Sequence, residues 1–103
     1  MKRYDKLVRD KIPDILVEKG KVYTCHIAGT EELDQKLKEK LAEEVQEYLE
    51  EPCLEELADI QEVIYALLRQ NGWSEYLLEE NRARKHAQRG GFEAGYILEV
   101  VEE

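Results

Sequence analysis

Pro52 is the residue that most constrains this chain, because it interrupts two long helical patterns and forces the second to double back beside the first. The flanking stretch LAEEVQEYLEEPCLEELAD, residues 41–59, puts Glu43, Glu44 and Glu47 near the end of one helix and Glu56 and Asp59 near the start of the next. With Leu33 at zero on a wheel of about 100° per residue, Leu37, Leu41, Val45, Tyr48 and Leu49 span an apolar arc from roughly 40° to 160°. Glu44, at about 20°, falls between Leu33 and Leu37 just inside the apolar stripe, and Glu47 lies at its edge. On the second helix Ile60, Val63, Ile64, Leu67 and Leu68 form the stripe, with Glu56 among them and Asp59 flanking.

Ionised carboxylates facing a core need positive charge, since burying one unpaired costs several kcal/mol or more, on the order of the penalties known for buried charges. Side chains at i and i+3 share a face, so Glu44 with Glu47 and Glu56 with Asp59 can converge across the hairpin. Four hard oxygen ligands, without histidine or cysteine at matching spacing, favour Mg²⁺ or Mn²⁺ over zinc or copper. Acid-rich helices also arise as plain solvated faces; what argues against that here is the position of all four on or beside apolar stripes.

The remaining elements follow from local signals. Residues 1–20 read as an extended lead-in and a short helix over 11–19, with Asp10 as its N-cap, Pro13 in its first turn and Gly20 as its stop. Arg9 and Lys11 at its start are candidate phosphate contacts. Residues 21–28 and 96–101 are rich in β-branched and aromatic side chains and predict a short two-stranded ribbon. Thr30 opens a helix running to about Glu51, the next runs from Leu54 to Gln70 before Asn71 and Gly72, and a third follows Ser74 as N-cap to Arg89. Along that last helix Asn81, Lys85 and Arg89 continue the line begun by Leu77 and Leu78, so an apolar stripe turns cationic, as a phosphate clamp requires. Tyr23, Tyr65, Trp73 and Tyr76 are candidates for stacking on a base.

The fold expected is mainly α, an antiparallel helical bundle in a single domain over 1–103, with the ribbon attached. A net charge of −9 disfavours nucleic-acid binding, and no apolar run is long enough for a membrane span or laid out as a signal peptide, which predicts a cytoplasmic protein. Cys25 and Cys53 read as reduced thiols and His26 as structural or surface.

The pattern EExxE at 43–47 followed by ExxD at 56–59 resembles the signature of the all-α nucleoside triphosphate pyrophosphohydrolases, the MazG-like and phosphoribosyl-ATP pyrophosphohydrolase-like group. The opening KLVRDKIPDIL at 6–16 and the run KHAQRGGF at 85–92 resemble the same group. The resemblance implies an enzyme, often a dimer or tetramer, that splits a nucleoside triphosphate between the α and β phosphates with Mg²⁺. It implies Glu44, Glu47, Glu56 and Asp59 as metal ligands and Glu43 as the accompanying acid, with Asn81, Lys85 and Arg89 approximating the downstream Asn, Lys and Arg pattern. The chemistry of the residues agrees: a carboxylate not fully used as a ligand, Glu44 or Glu47, can take the proton of an attacking water. Phosphoribosyl-ATP is the alternative substrate. A carboxylate-bridged di-iron bundle would need Glu-x-x-His pairs that are absent from this sequence, and a non-catalytic acidic interaction module is the competing reading from another class.

Overall fold

The computed structural model describes residues 1–102 and contains four helices: α1 (Ile12–Glu18), α2 (Thr30–Glu50), α3 (Leu54–Asn71) and α4 (Glu75–Arg89). Two compact units divide the chain, the first covering Met1–Gly72 and the second beginning at Trp73.

In the first unit α2 and α3 pack against each other as the hairpin that Pro52 dictates. The α2 C-cap is Glu51, whose N–H donates to the Glu47 carbonyl, and Cys53 in extended conformation is the N-cap of α3. Only Pro52 lies between, so the helices return antiparallel. Their seam buries Leu37, Val63 and Leu68, each on the stripe read from the helical period. At the far end Gly72 caps α3 in the left-handed conformation (φ 73°), and its N–H reaches the carbonyls of Arg69 and Leu68. Gln70 ties the end of α3 back to the start of α2 by donating to the Thr30 carbonyl at 3.1 Å.

α1 forms with Pro13 in its first turn, but its N-cap is Lys11, not Asp10, and no side chain caps it. The helix starts at Ile12, one residue later than an Asp10 cap would set it, and the Ile12 N–H donates to the Arg9 carbonyl at 3.0 Å instead of to a capping side chain. In the second unit Ser74 is the N-cap of α4, its Oγ accepting from the Leu77 N–H at 3.1 Å. Gly90 closes this helix with its N–H on the His86 carbonyl.

The expected β ribbon is not present: among the described residues there is no strand, and neither 21–28 nor 96–101 makes ladder hydrogen bonds. Propensity alone favoured strands there, yet a two-stranded ribbon is marginal without a layer to cover it. Val22, Ile27, Tyr96 and Ile97 are almost fully exposed, so neither segment has an apolar surface to lie on. No helix of the described residues is long and apolar enough to cross a membrane. Both cysteines are free and exposed.

Because so few side chains close the seam, its stability rests on them. Leu37→Ala is expected to cost about 2–4 kcal/mol in urea unfolding, as core leucines do, whereas the fully exposed Val22→Ala should stay within about 0.5 kcal/mol. Equal effects of the two would show that the α2–α3 seam is not the core.

Candidate metal centre

The acidic cluster is built by the hairpin. α2 delivers Glu43, Glu44 and Glu47 from its last two turns, and α3 delivers Glu56 and Asp59 from its first two. Carboxylate oxygens of Glu43, Glu44 and Glu47 lie within 4.8 Å of one another, and so do those of Glu44, Glu56 and Asp59. Glu44 belongs to both groups and joins them. It is also the most enclosed acid, 7% exposed, while the other four are half-buried.

The two helices contribute unequally to the electrostatics. Glu56 and Asp59 stand near the positive end of α3, where the peptide dipoles favour anions. The α2 acids approach its negative end, and the last turn of α2 carries no basic residue. Positive charge comes instead from three side chains. Lys40, one turn earlier on α2, lies 3.4 Å from Glu43 and 3.3 Å from Glu44. Lys6 bonds Glu43 Oε1 at 2.9 Å, and Arg9 bonds Asp59 Oδ1 at 2.6 Å with Glu62 3.9 Å away. Three cations face the five carboxylates, and one of them, Arg9, is shared with Glu62.

The protonation behaviour follows from these neighbours. The hydrogen bond from Lys6 holds the Glu43 carboxyl below its usual range against the cost of desolvation, and Glu43 in turn raises the Lys6 ammonium. Burial pushes the Glu44 carboxyl up, and hydrogen bonding with Glu47 pushes the same way, against a smaller opposing pull from Lys40. Two oxygens are left over. Glu44 Oε2 and Glu56 Oε2 are buried with no hydrogen-bond partner, an arrangement that native proteins avoid unless something else meets the group.

The donor set tests well against a cation. All five groups are hard oxygen donors, no imidazole or thiolate belongs to either group, and the separations are short enough for one ion to bridge each trio. A hard divalent cation fits; a thiophilic metal does not.

The residues expected to handle phosphate are distributed differently. Arg9 reaches the acidic cluster, as does Lys6, while Lys11 is exposed at the start of α1. Asn81, Lys85 and Arg89 are exposed on α4 in the second unit. There Asn81 Nδ2 donates to the Leu77 carbonyl at 2.8 Å, and Arg82 and Arg84 pair with Glu79 and Glu80. Lys85 and Arg89 make no ion pair among the described residues. Of the aromatic candidates, Trp73 and Tyr76 are exposed and Tyr65 is half-buried, its hydroxyl accepting from Gln61. His26 sits on the surface beside Glu32 at 2.9 Å.

No match is found to any family model, curated protein or solved structure. The centre therefore rests on its own geometry.

Sequence reading missed two of its cations. Lys40 had a legible signal, since it stands three and four residues before Glu43 and Glu44. Lys6 had none, because its partner is thirty-seven residues away.

The upward shift of Glu44 makes its ionisation work against folding. Stability associated with it is greatest where the carboxyl is protonated and is lost as pH rises through its elevated folded value. Glu44→Gln, without added metal, is therefore expected to raise the melting temperature at pH 7 by a few degrees, on the order of 1 kcal/mol for a chain this size. The gain should shrink as pH falls through that elevated value and be gone below the usual carboxylate range. A drop in melting temperature at pH 7 would show that the ionised form is already satisfied.

Proposed function

We propose that the chain is a divalent-metal-dependent nucleotide pyrophosphohydrolase that converts a nucleoside triphosphate, or a close analogue, to the monophosphate and pyrophosphate. One observation carries the reading: Glu44 and Glu56, two members of a cluster of hard donors in which carboxylates outnumber cations, each keep a buried oxygen with no hydrogen-bond partner. Such a centre is suited to holding a cation and, through it, a polyphosphate. The order EExxE, then ExxD, agrees with the same reaction class.

Glu44, Glu47, Glu56 and Asp59 are the proposed ligands of Mg²⁺, with Mn²⁺ as a substitute. The bound ion would neutralise charge on the phosphate oxygens and orient water for in-line attack. The chain's own groups do the rest. Water forms the new bond to the α phosphorus, the bond from that phosphorus to the bridging oxygen breaks, and pyrophosphate leaves. The proton lost by the water goes to Glu44 or Glu47. On α4 itself, Lys85 and Arg89, which make no ion pair among the described residues, and Asn81, one turn before Lys85, form a stripe suited to binding phosphate.

Assembly into a homo-oligomer belongs to the same reading. Among the described residues the fully buried apolar side chains are Leu37, Val63 and Leu68, while Val45, Leu49 and Leu57 on α2 and α3, and Tyr76, Leu77 and Leu78 on α4, remain exposed. Exposed apolar side chains repeated along helices favour a second copy over water.

The test is pyrophosphate release with Mg²⁺ from canonical, deoxy and damaged nucleoside triphosphates and from phosphoribosyl-ATP. Wild type should turn over at least one of them, and Glu47→Gln should lower kcat by about a hundredfold or more, as loss of an acid–base group does. Normal helicity of the variant by circular dichroism would assign that loss to chemistry. If no substrate yields pyrophosphate, the enzyme reading fails and the cluster is better read as an interaction surface.

A further inference from the structure

The lead-in to α1 does more than precede a helix. Residues 5–9 cross the α2–α3 hairpin and are fastened to it at three points. Lys36 donates to the Asp5 carbonyl at 2.7 Å, Lys6 bonds Glu43, and Arg9 bonds Asp59. Lys6, Leu7, Lys36, Glu39, Lys40 and Glu43 line the shallow cleft where this segment meets α2. Leu7, half-buried, is the sole apolar anchor within residues 5–9, so side-chain charge supplies most of the attachment.

The two attachments differ from the third in what they occupy. Glu43 lies in the first carboxylate trio and Asp59 in the second. Lys6 and Arg9 thus place one cation at each half of the centre, on a segment outside the hairpin. Lys40, by contrast, is fixed by α2 itself. The contacts are exposed enough to exchange: the Lys6 and Arg9 side chains are about half exposed. Deeper in, the enclosed Glu44 Oε2 and Glu56 Oε2 receive neither cation.

We infer that residues 5–9 form a displaceable strap, with Lys6 and Arg9 as resident counter-ions: a divalent cation entering the centre must expel Arg9 from the proposed ligand Asp59, and it repels Lys6 from Glu43, which lies beside the proposed ligands Glu44 and Glu47. This rests on the metal-site reading above and adds a coupling to it. Cation entry and strap attachment oppose each other, by direct competition at Asp59 and by charge repulsion at Glu43, so the apparent affinity for the ion is lowered by the fraction of molecules that are strapped. Expulsion frees an ammonium and a guanidinium beside the loaded centre. These released groups are then available to an anionic ligand that the ion brings in.

Mn²⁺ binding, followed by the free-ion electron paramagnetic resonance signal at low ionic strength, tests the strap on the full chain. Lys6→Met and Arg9→Met should each tighten Mn²⁺ about two- to fivefold, and the double variant about tenfold, the range set by exposed ion pairs. Lys38→Met, which removes an equal charge from the α2 pair with Asp34, should have less than about half the single-variant effect, separating strap release from a general change in net charge. The second readout uses wild type alone: trypsin should cut Lys6–Leu7 faster when Mn²⁺ is added, relative to cutting at Lys19–Gly20. Binding that Glu44→Gln weakens but the strap variants leave unchanged, or a Lys6–Leu7 rate that Mn²⁺ does not raise, overturns the strap and leaves the metal site standing. Absence of Mn²⁺ binding in wild type overturns both.

Discussion

Everything around the centre of this protein answers one constraint: Glu44 is an acid held inside a helical seam near the negative end of its own helix. Removing a carboxylate from water is costly, and the peptide dipoles of α2 add to the cost. The chain responds with charge from three separate places: Lys40 from the same helix, Lys6 and Arg9 from the N-terminal segment, and the positive end of α3 beneath Glu56 and Asp59. Even so, oxygens on Glu44 and Glu56 stay unmet. A helical hairpin optimised only for stability would carry apolar residues at those positions.

The compensation also explains why the hairpin is so sparsely packed. Leu37, Val63 and Leu68 are the fully buried residues of the seam, and toward the Pro52 turn Glu44 and Glu56 share the stripes with the half-buried Leu41, Tyr48 and Ile60. Apolar burial and the cation site compete for the same surface between α2 and α3. A centre that binds an ion would return part of that stability on loading, because any ligand that prefers the folded state stabilises it.

Much of this was legible before any coordinates. Pro52 and the periodic stripes announced the hairpin, and the offset of Glu44 and Glu56 into those stripes announced convergence. Ser74 and Gly72 were readable as caps because each acts through its own backbone neighbours. What failed were inferences that needed distant partners. The segments 21–28 and 96–101 have strand-like composition, but composition does not supply a surface to pair on. Asp10 looked like a cap, yet the backbone entered the helical region one residue later. Arg9 stood out as a functional residue, while its reach to Asp59, fifty residues along, depended on the path of the lead-in across the hairpin.

Gly72, with its left-handed backbone, is the last residue of the first unit. Every carboxylate of the cluster and all three of its counter-ions precede it, while Asn81, Lys85 and Arg89 follow it. The carboxylates that could hold a cation and the α4 cationic stripe are thus encoded in separate stretches of chain. A substitution on α4 changes neither an acid of the cluster nor any of its three counter-ions.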